Sequence, residues 1–392
     1  MVTPHRLSDV IRRLAGLAPE YPHKLIVYGE IGTDSDEIEA LMILTTLIRL
    51  GFVELLAVIG NHKPALYHAR QGRRTLDDLG FPDVPVGRGE EIEGASTTVT
   101  EKHSRHLAHM SRVVDGQTLL RDTLRSLPEG EKVTLVANSG FTDIAWLLLA
   151  ELPLFQEKVE KVVIMGGVVV ENDVPKLDED GYLMPNVRRG VGPANNLFDP
   201  GSALMLYRTL QDMGIPIITT TRDAGDSCKI PFTVFDELEE SGHVVGGNLA
   251  EVQREAINDR WKMSVDDTLG QGKGDVVRNI DWFFKVFCKG QRPDGTLEEI
   301  LAIKDIFPHI VAVGGEFISY DGLNVLAAVP EISMRLFSPY AVEVKGMRHQ
   351  IIGVSTKANG VRNGQAVRDM LMACMLDAVH YQAPAVRAFQ YA

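Results

Sequence analysis

Within "VYGEIGTDSDEIEALMIL", residues 27–44, five acidic side chains fall in ten positions: Glu30, Asp34, Asp36, Glu37 and Glu39. Like charges that close repel, and burial raises the cost of keeping them ionised. Two readings stand. Asp and Glu in a first helical turn complement the dipole and bond to free N–H groups, which accounts for Asp34, or for Asp36 with Glu37. Capping does not account for Glu30, at the end of an apolar run, or for so many carboxylates together. A hard divalent cation does: calcium accepts several carboxylate and carbonyl oxygens, magnesium fewer.

Further along the chain other polar groups fall in similar places. "VANSGFTD" offers Asn138, whose carbonyl or side chain could reach a metal, although the stretch also reads as a turn before a helix start at Thr142 and Asp143. "GPANNLFDP" offers Asn195 and Asn196 as partners for hydroxyls, with Asp199-Pro200 reading as a structural helix cap. "SYDGLNVL" puts Asp321 at another helix start, a second and distant carboxylate.

The elements that must position these groups alternate. Apolar runs at 24–28, 54–60, 132–138, 160–167, 215–221 and 309–315 are predicted strands. Helical patterns lie near 37–50, 64–79, 117–127, 142–151 and 200–213. Strands apolar on both faces suit a mostly parallel sheet with helices on both sides, an α/β Rossmann-like fold. In such sheets ligands bind beyond the carboxyl ends of the strands, which is where the acidic loop and the asparagines fall. Residues 222 to about 305 break the rhythm and read as a helical insertion within one domain spanning 1–392. Trp261 and the aromatic run at 281–287 in this insertion read first as helix packing.

The chain has 392 residues, 45% of them hydrophobic, enough for a large core. A net charge of −13 without a dense Lys/Arg run argues against a nucleic-acid partner. Three widely spaced cysteines support neither a zinc ribbon nor a disulfide framework. No run reaches the apolar length of a membrane span, and the start lacks the apolar core of a signal peptide. The default expectation is a cytoplasmic protein, or one exported without a cleaved signal.

Taken in order, these segments resemble the inosine-uridine nucleoside hydrolase family. "YGEIGTDSDE" is similar to the family's Asp-rich first loop, DxDxxxDD, in its longer variant DTDIGTDxDD. "AVIGN", "VANSGFTDIAWLL", "VVIMGG", "ANNLFDPGSA" and "YDGLNVLAAVPE" then follow in the family's order, over about residues 24 to 345 apart from the insertion. The resemblance implies the nucleoside hydrolase fold, commonly as a homodimer or homotetramer. It also implies calcium-dependent hydrolysis of an N-ribosidic bond, in which a metal orients the ribose diol and a water while a carboxylate accepts a proton. By position it implies Glu30, Asp34 and Asp36 as catalytic residues. Those three, with Glu37, Asn138 and Asp321, would form the calcium site. Asn61, Met165, Asn195, Asn196, Tyr320 and, over the base, Trp261 would face the substrate.

The departures from the pattern point elsewhere. Tyr28 replaces the first loop Asp, Glu30 the second, and Tyr320 the late His that protonates a purine leaving group. Pro193 replaces an acidic residue that contacts the 5′-hydroxyl. Losing that charge opens the site to a 5′-substituted ribose, a nucleotide or an ADP-ribose-like ligand. The alternative function is therefore a ribosyl-binding protein without turnover, as suspected for divergent effector relatives of the family. A magnesium phosphohydrolase shares the acidic loop but not the order of the other segments.

Overall fold

A computed structural model describes residues 4–33, 35–91, 107–272, 277–354 and 360–380. Nine strands form one sheet: β1 (His23–Gly29), β2 (Val53–Gly60), β3 (Val86–Arg88), β4 (Val114–Asp115), β5 (Val133–Ala137), β6 (Val159–Met165), β7 (Ile217–Thr220), β8 (Tyr340–Val344) and β9 (Met347–Ile352). Their order is β8-β9-β7-β6-β5-β1-β2-β3-β4. All neighbours are parallel except the β8–β9 hairpin, whose turn residues Lys345 and Gly346 both take positive φ.

The alternation of side chains along β1 shows why the sheet needs helices on both faces. Leu25 and Val27 enter one apolar core, with Ile38, Leu41 and Leu323. Ile26 and Tyr28 enter the other, with Phe141, Ile144 and Leu147. The helices that matter for the site are α1 (Asp36–Arg49), α2 (Ala65–Asp78), α3 (Thr142–Ala150), α4 (Ala194–Phe198), α5 (Val244–Thr268), α6 (Ile280–Phe287) and α7 (Tyr320–Ala328).

From β1 the chain builds outward through β2, β3 and β4, then returns to β5 on β1's other side and builds outward again. The order therefore reverses between β1 and β5, and a crevice opens there at the carboxyl ends of the strands. The acidic loop leaves β1 and Asn138 leaves β5, so both reach this crevice.

Five of the six strands expected from the sequence are present. The sixth, at 309–315, is not: Phe307–Ala312 is a helix with Pro308 in its first turn, followed by a two-residue strand, Glu316–Phe317. A short apolar run cannot be assigned by periodicity alone, and here Pro308 starts a helix, for which its fixed φ is suited. The described part of the stretch 222–305 carries helices, of which α5, α6 and Thr233–Glu240 are the longest.

Candidate active site

Asp36 and Glu37 open α1, and Asp321 lies in the first turn of α7. α1 and α7 pack side by side, so two helix starts present three carboxylates to one point. One oxygen from each lies within 4.8 Å of the others. Glu37 and Asp321 are buried and Asp36 is half-buried. Neither helix relies on these acids as its N-cap: Ser35 and Ser319 occupy the cap positions. The donor set is all oxygen, clustered and largely desolvated, and a hard divalent cation would relieve its mutual repulsion.

These carboxylates form one wall of a cavity of about 420 Å³, which Glu30, Asn138, Met165, Asn195 and Tyr320 also line. Glu30 is 9% exposed and its Oε2 lies 3.5 Å from Nε2 of the buried His62. His62 stacks on Phe198 with ring centroids 4.2 Å apart, and burial lowers its pKa to about 4, so the pair holds a neutral imidazole against the carboxylate. Asn195 donates from Nδ2 to the Asn138 carbonyl at 3.0 Å and to the Met165 carbonyl at 3.1 Å, tying the ends of β5 and β6 to α4. Asn138 in turn accepts at Oδ1 from Asn324 Nδ2 at 2.7 Å.

The expected site residues thus divide. Glu30, Asp36, Glu37, Asn138, Met165, Asn195, Tyr320 and Asp321 meet at one cavity. Asp34 lies outside the described residues. Asn196 sits behind the wall, fully buried, donating to the carbonyls of Gly167 and Asn186. Asn61 is also fully buried and donates to the Gly140 carbonyl and to Asp143 Oδ2, both at 3.0 Å. Trp261 is 2% exposed inside the helical insertion, where its Nε1 donates to the Ile303 carbonyl at 2.8 Å. Its neighbour Arg260 faces the cavity instead. Asp199 is the cap of the helix Pro200–Asp212, accepting from Ser202 N. Tyr28, where the family has an acid, is fully buried in the core on the far face of β1.

Sequence reading missed three arginines. Arg222 follows β7, Arg260 lies on α5 and Arg278 precedes α6, and all three line the same cavity as the acids. They are scattered over 57 positions (222 to 278) and form no motif; only the fold of the insertion brings them together. It also missed Asn324, one helical turn after Asp321. Fully buried, Asn324 accepts from Thr220 Oγ1 at 2.7 Å while donating to Asn138. The spacing of three from Asp321 was the available signal.

The cavity therefore carries both charges: carboxylates and guanidinium groups line it together with Tyr320. Clustered carboxylates that gather a cation suit a diol, and guanidinium groups suit phosphate oxygens. Pro193 lines the cavity where the resemblance places an acidic residue.

No family model and no curated protein sequence matches the chain. Solved structures do. The type III effector protein XopQ complexed with adenosine diphosphate ribose superposes with a TM-score of 0.81 and 26% identity, over 96% of this chain and 99% of that one. The effector protein XOO4466 gives 0.77 and 25%, over 97% and 100%. A purine-preferring ribonucleoside hydrolase from Gardnerella vaginalis gives 0.52 and 15%, over 91% and 99%, a likeness of fold. The chain has the nucleoside hydrolase fold, α/β with a mostly parallel nine-stranded sheet.

Proposed function

We propose that this protein binds a ribosyl compound carrying a 5′-phosphate, of the nucleotide or ADP-ribose class, with the ribose diol at the Asp36–Glu37–Asp321 cluster and the phosphate at Arg222, Arg260 and Arg278. The observation that carries this reading is that three arginines line the same cavity as the Asp36–Glu37–Asp321 cluster. The complex of the XopQ relative with adenosine diphosphate ribose supports the same ligand class.

Asp36, Glu37 and Asp321 would hold a calcium ion, with the Asn138 carbonyl within the same cavity. When bound, that ion supplies positive charge that orients hydroxyl oxygens. Asn195, fixed by its bonds to two carbonyls, keeps Asn138 and Met165 in place along the cavity wall. Pro193 lines the cavity where the resemblance places an acidic residue, and so removes one carboxylate that would repel a phosphate.

Hydrolysis of the N-ribosidic bond is the second reading, and Glu30 favours it. Its carboxylate stands on the cavity wall outside the three-carboxylate cluster, where it can accept a proton from a water held near the ribose.

Two assays test the proposal. Pro193→Glu should weaken AMP by about tenfold relative to adenosine, a ratio that cancels any general disturbance of the loop. An unchanged ratio contradicts this placing of the phosphate. Release of reducing sugar from AMP and adenosine in calcium then separates binding from turnover, and Glu30→Gln should abolish any release that is seen.

A further inference from the structure

His62 follows β2 and is fully buried, yet among the described residues neither of its ring nitrogens makes a hydrogen bond. Packing does not require this. A phenylalanine would fill the same space without burying two polar atoms, each of which forfeits its bonds to water. The backbone is unusual as well. His62 takes φ 68, in the left-handed region where a residue with a side chain is uncommon. The other described non-glycine residues with positive φ, Asn172, Asp173, Lys289 and Lys345, all lie in exposed turns. An uncommon backbone conformation at a fully buried polar residue points to a role beyond the turn.

The ring is held on several sides. Its face stacks on Phe198 of α4, with centroids 4.2 Å apart and planes at 23°. The His62 N–H donates to the Glu90 carbonyl at 3.1 Å. Glu90 is fixed in turn: its N–H donates to Asp143 Oδ1 at 3.0 Å, and the same fully buried carboxylate accepts from Gln117 Nε2 and Asn61 Nδ2, each at 3.0 Å. Asn61 closes the frame, its N–H donating to the Gly29 carbonyl at 3.1 Å, one residue before Glu30. The segments after β1, β2 and β3 are thus keyed to one another through Asp143. Neither Asn61 nor Asp143 lines the cavity of the acidic cluster; what their frame aims is the imidazole, with Nε2 at 3.5 Å from Glu30 Oε2. That gap exceeds the roughly 3.0 Å of a hydrogen bond by an amount that a small turn of the Glu30 side chain closes.

We infer that His62 is the positioning residue of Glu30: with a ligand in the cavity its Nε2–H donates to Glu30 Oε2, which leaves Oε1 to accept from a ribose hydroxyl or from a water beside it. An ionised carboxylate only accepts, so the imidazole is the Nε2–H tautomer. A carboxylate that a fixed donor already orients gives up less freedom when it meets the ligand. His62 does not itself line the cavity. The inference rests on the reading of that cavity given above and deepens it, by assigning how Glu30 is held at the ribose.

The test is a double-mutant cycle read by calorimetry with AMP in calcium. Glu30→Ala should weaken AMP about tenfold, and His62→Phe, which keeps a stacked ring and removes both nitrogens, about fivefold. In the Glu30→Ala background His62→Phe should change the affinity by less than about twofold, since its effect passes through the missing carboxylate. Losses that multiply give His62 a packing role and overturn the inference, as does His62→Phe binding AMP like wild type. Glu30→Ala binding AMP like wild type overturns the inference and leaves the reading of the cavity standing, whereas wild type failing to bind AMP overturns both. The unmutated ring gives a second readout should His62→Phe not fold. In isotope-labelled wild type the His62 Nε2–H resonance should move downfield when AMP and calcium are added, as its bond to the carboxylate forms, and should stay in place in Glu30→Ala. A resonance that AMP leaves unmoved, or that moves equally in both proteins, overturns the inference.

Discussion

Carboxylates gathered at one point make the apo protein work against itself, and this gives the acidic cluster a signature that helix capping would not have. A cation bound only in the folded state adds stability, and millimolar calcium should raise the wild-type Tm by at least about 3 °C. Asp321→Asn should cancel the rise without lowering the apo Tm, because it also removes repulsion among Asp36, Glu37 and Asp321. A variant that keeps the full calcium response contradicts the assignment. A second residue-level prediction concerns acid. His349 is fully buried, accepts from Ile217 N at Nδ1, and is held by burial at about 4 against its ordinary 6.5. The unfolded chain therefore takes up this proton first, so the stability it confers is complete above about pH 6.5 and is lost as pH falls towards 4. His62 and His68 act in the same direction, while Asp143, pushed by burial up to about 7, acts oppositely. His349→Asn, which keeps an acceptor for Ile217 N, should shrink the fall in Tm between those pH values. A curve parallel to wild type would show that His349 does not titrate in this window.

At the scale of elements, the switch point between β1 and β5 is held from behind by one side chain. Asn324 links α7 to the ends of β5 and β7 through Asn138 and Thr220. Truncation leaves Asn138 Oδ1 without its donor and Thr220 Oγ1 with only its longer bond, 3.4 Å, to the Ile164 carbonyl, so Asn324→Ala should cost about 2–4 kcal/mol in urea unfolding. A loss below about 1 kcal/mol would mean that water or a shifted neighbour replaces it. The same elements show what the sequence discloses. The central strands were legible because they are long, apolar on both faces and followed by helices: β1, β2, β5, β6 and β7 were all expected. β3 and β4, with three and two residues, carry too little pattern to register, and the exposed face of β8 dilutes its apolar signal. The run at 309–315 misled because apolarity alone does not distinguish a strand from a buried helix turn. The acidic cluster was legible because Glu30, Asp36 and Glu37 are neighbours in sequence. The arginines were not, because they come from three separated elements and helical sequence does not disclose how helices dock.

For the whole molecule, charge is unevenly placed. A chain of net charge −13 repels anions at a distance, yet Arg222, Arg260 and Arg278 line one cavity. Salt screens both effects, but a pair formed across the cavity is closer than a Debye length, and general repulsion is spread over the surface. ADP-ribose affinity should therefore fall as NaCl rises from about 50 to 500 mM, on the order of three- to tenfold, while adenosine affinity changes little. Parallel salt profiles for the two would remove the charge from the account. The central claim is that a cavity lined by both a carboxylate cluster and three arginines selects a phosphorylated ribosyl ligand, and one calorimetric comparison tests it most directly: AMP against adenosine on wild type, each with calcium and with a chelator. The account predicts AMP at least about tenfold tighter than adenosine in calcium, with both weakened by the chelator. Adenosine binding as tightly as AMP, or AMP binding unchanged without calcium, would contradict it.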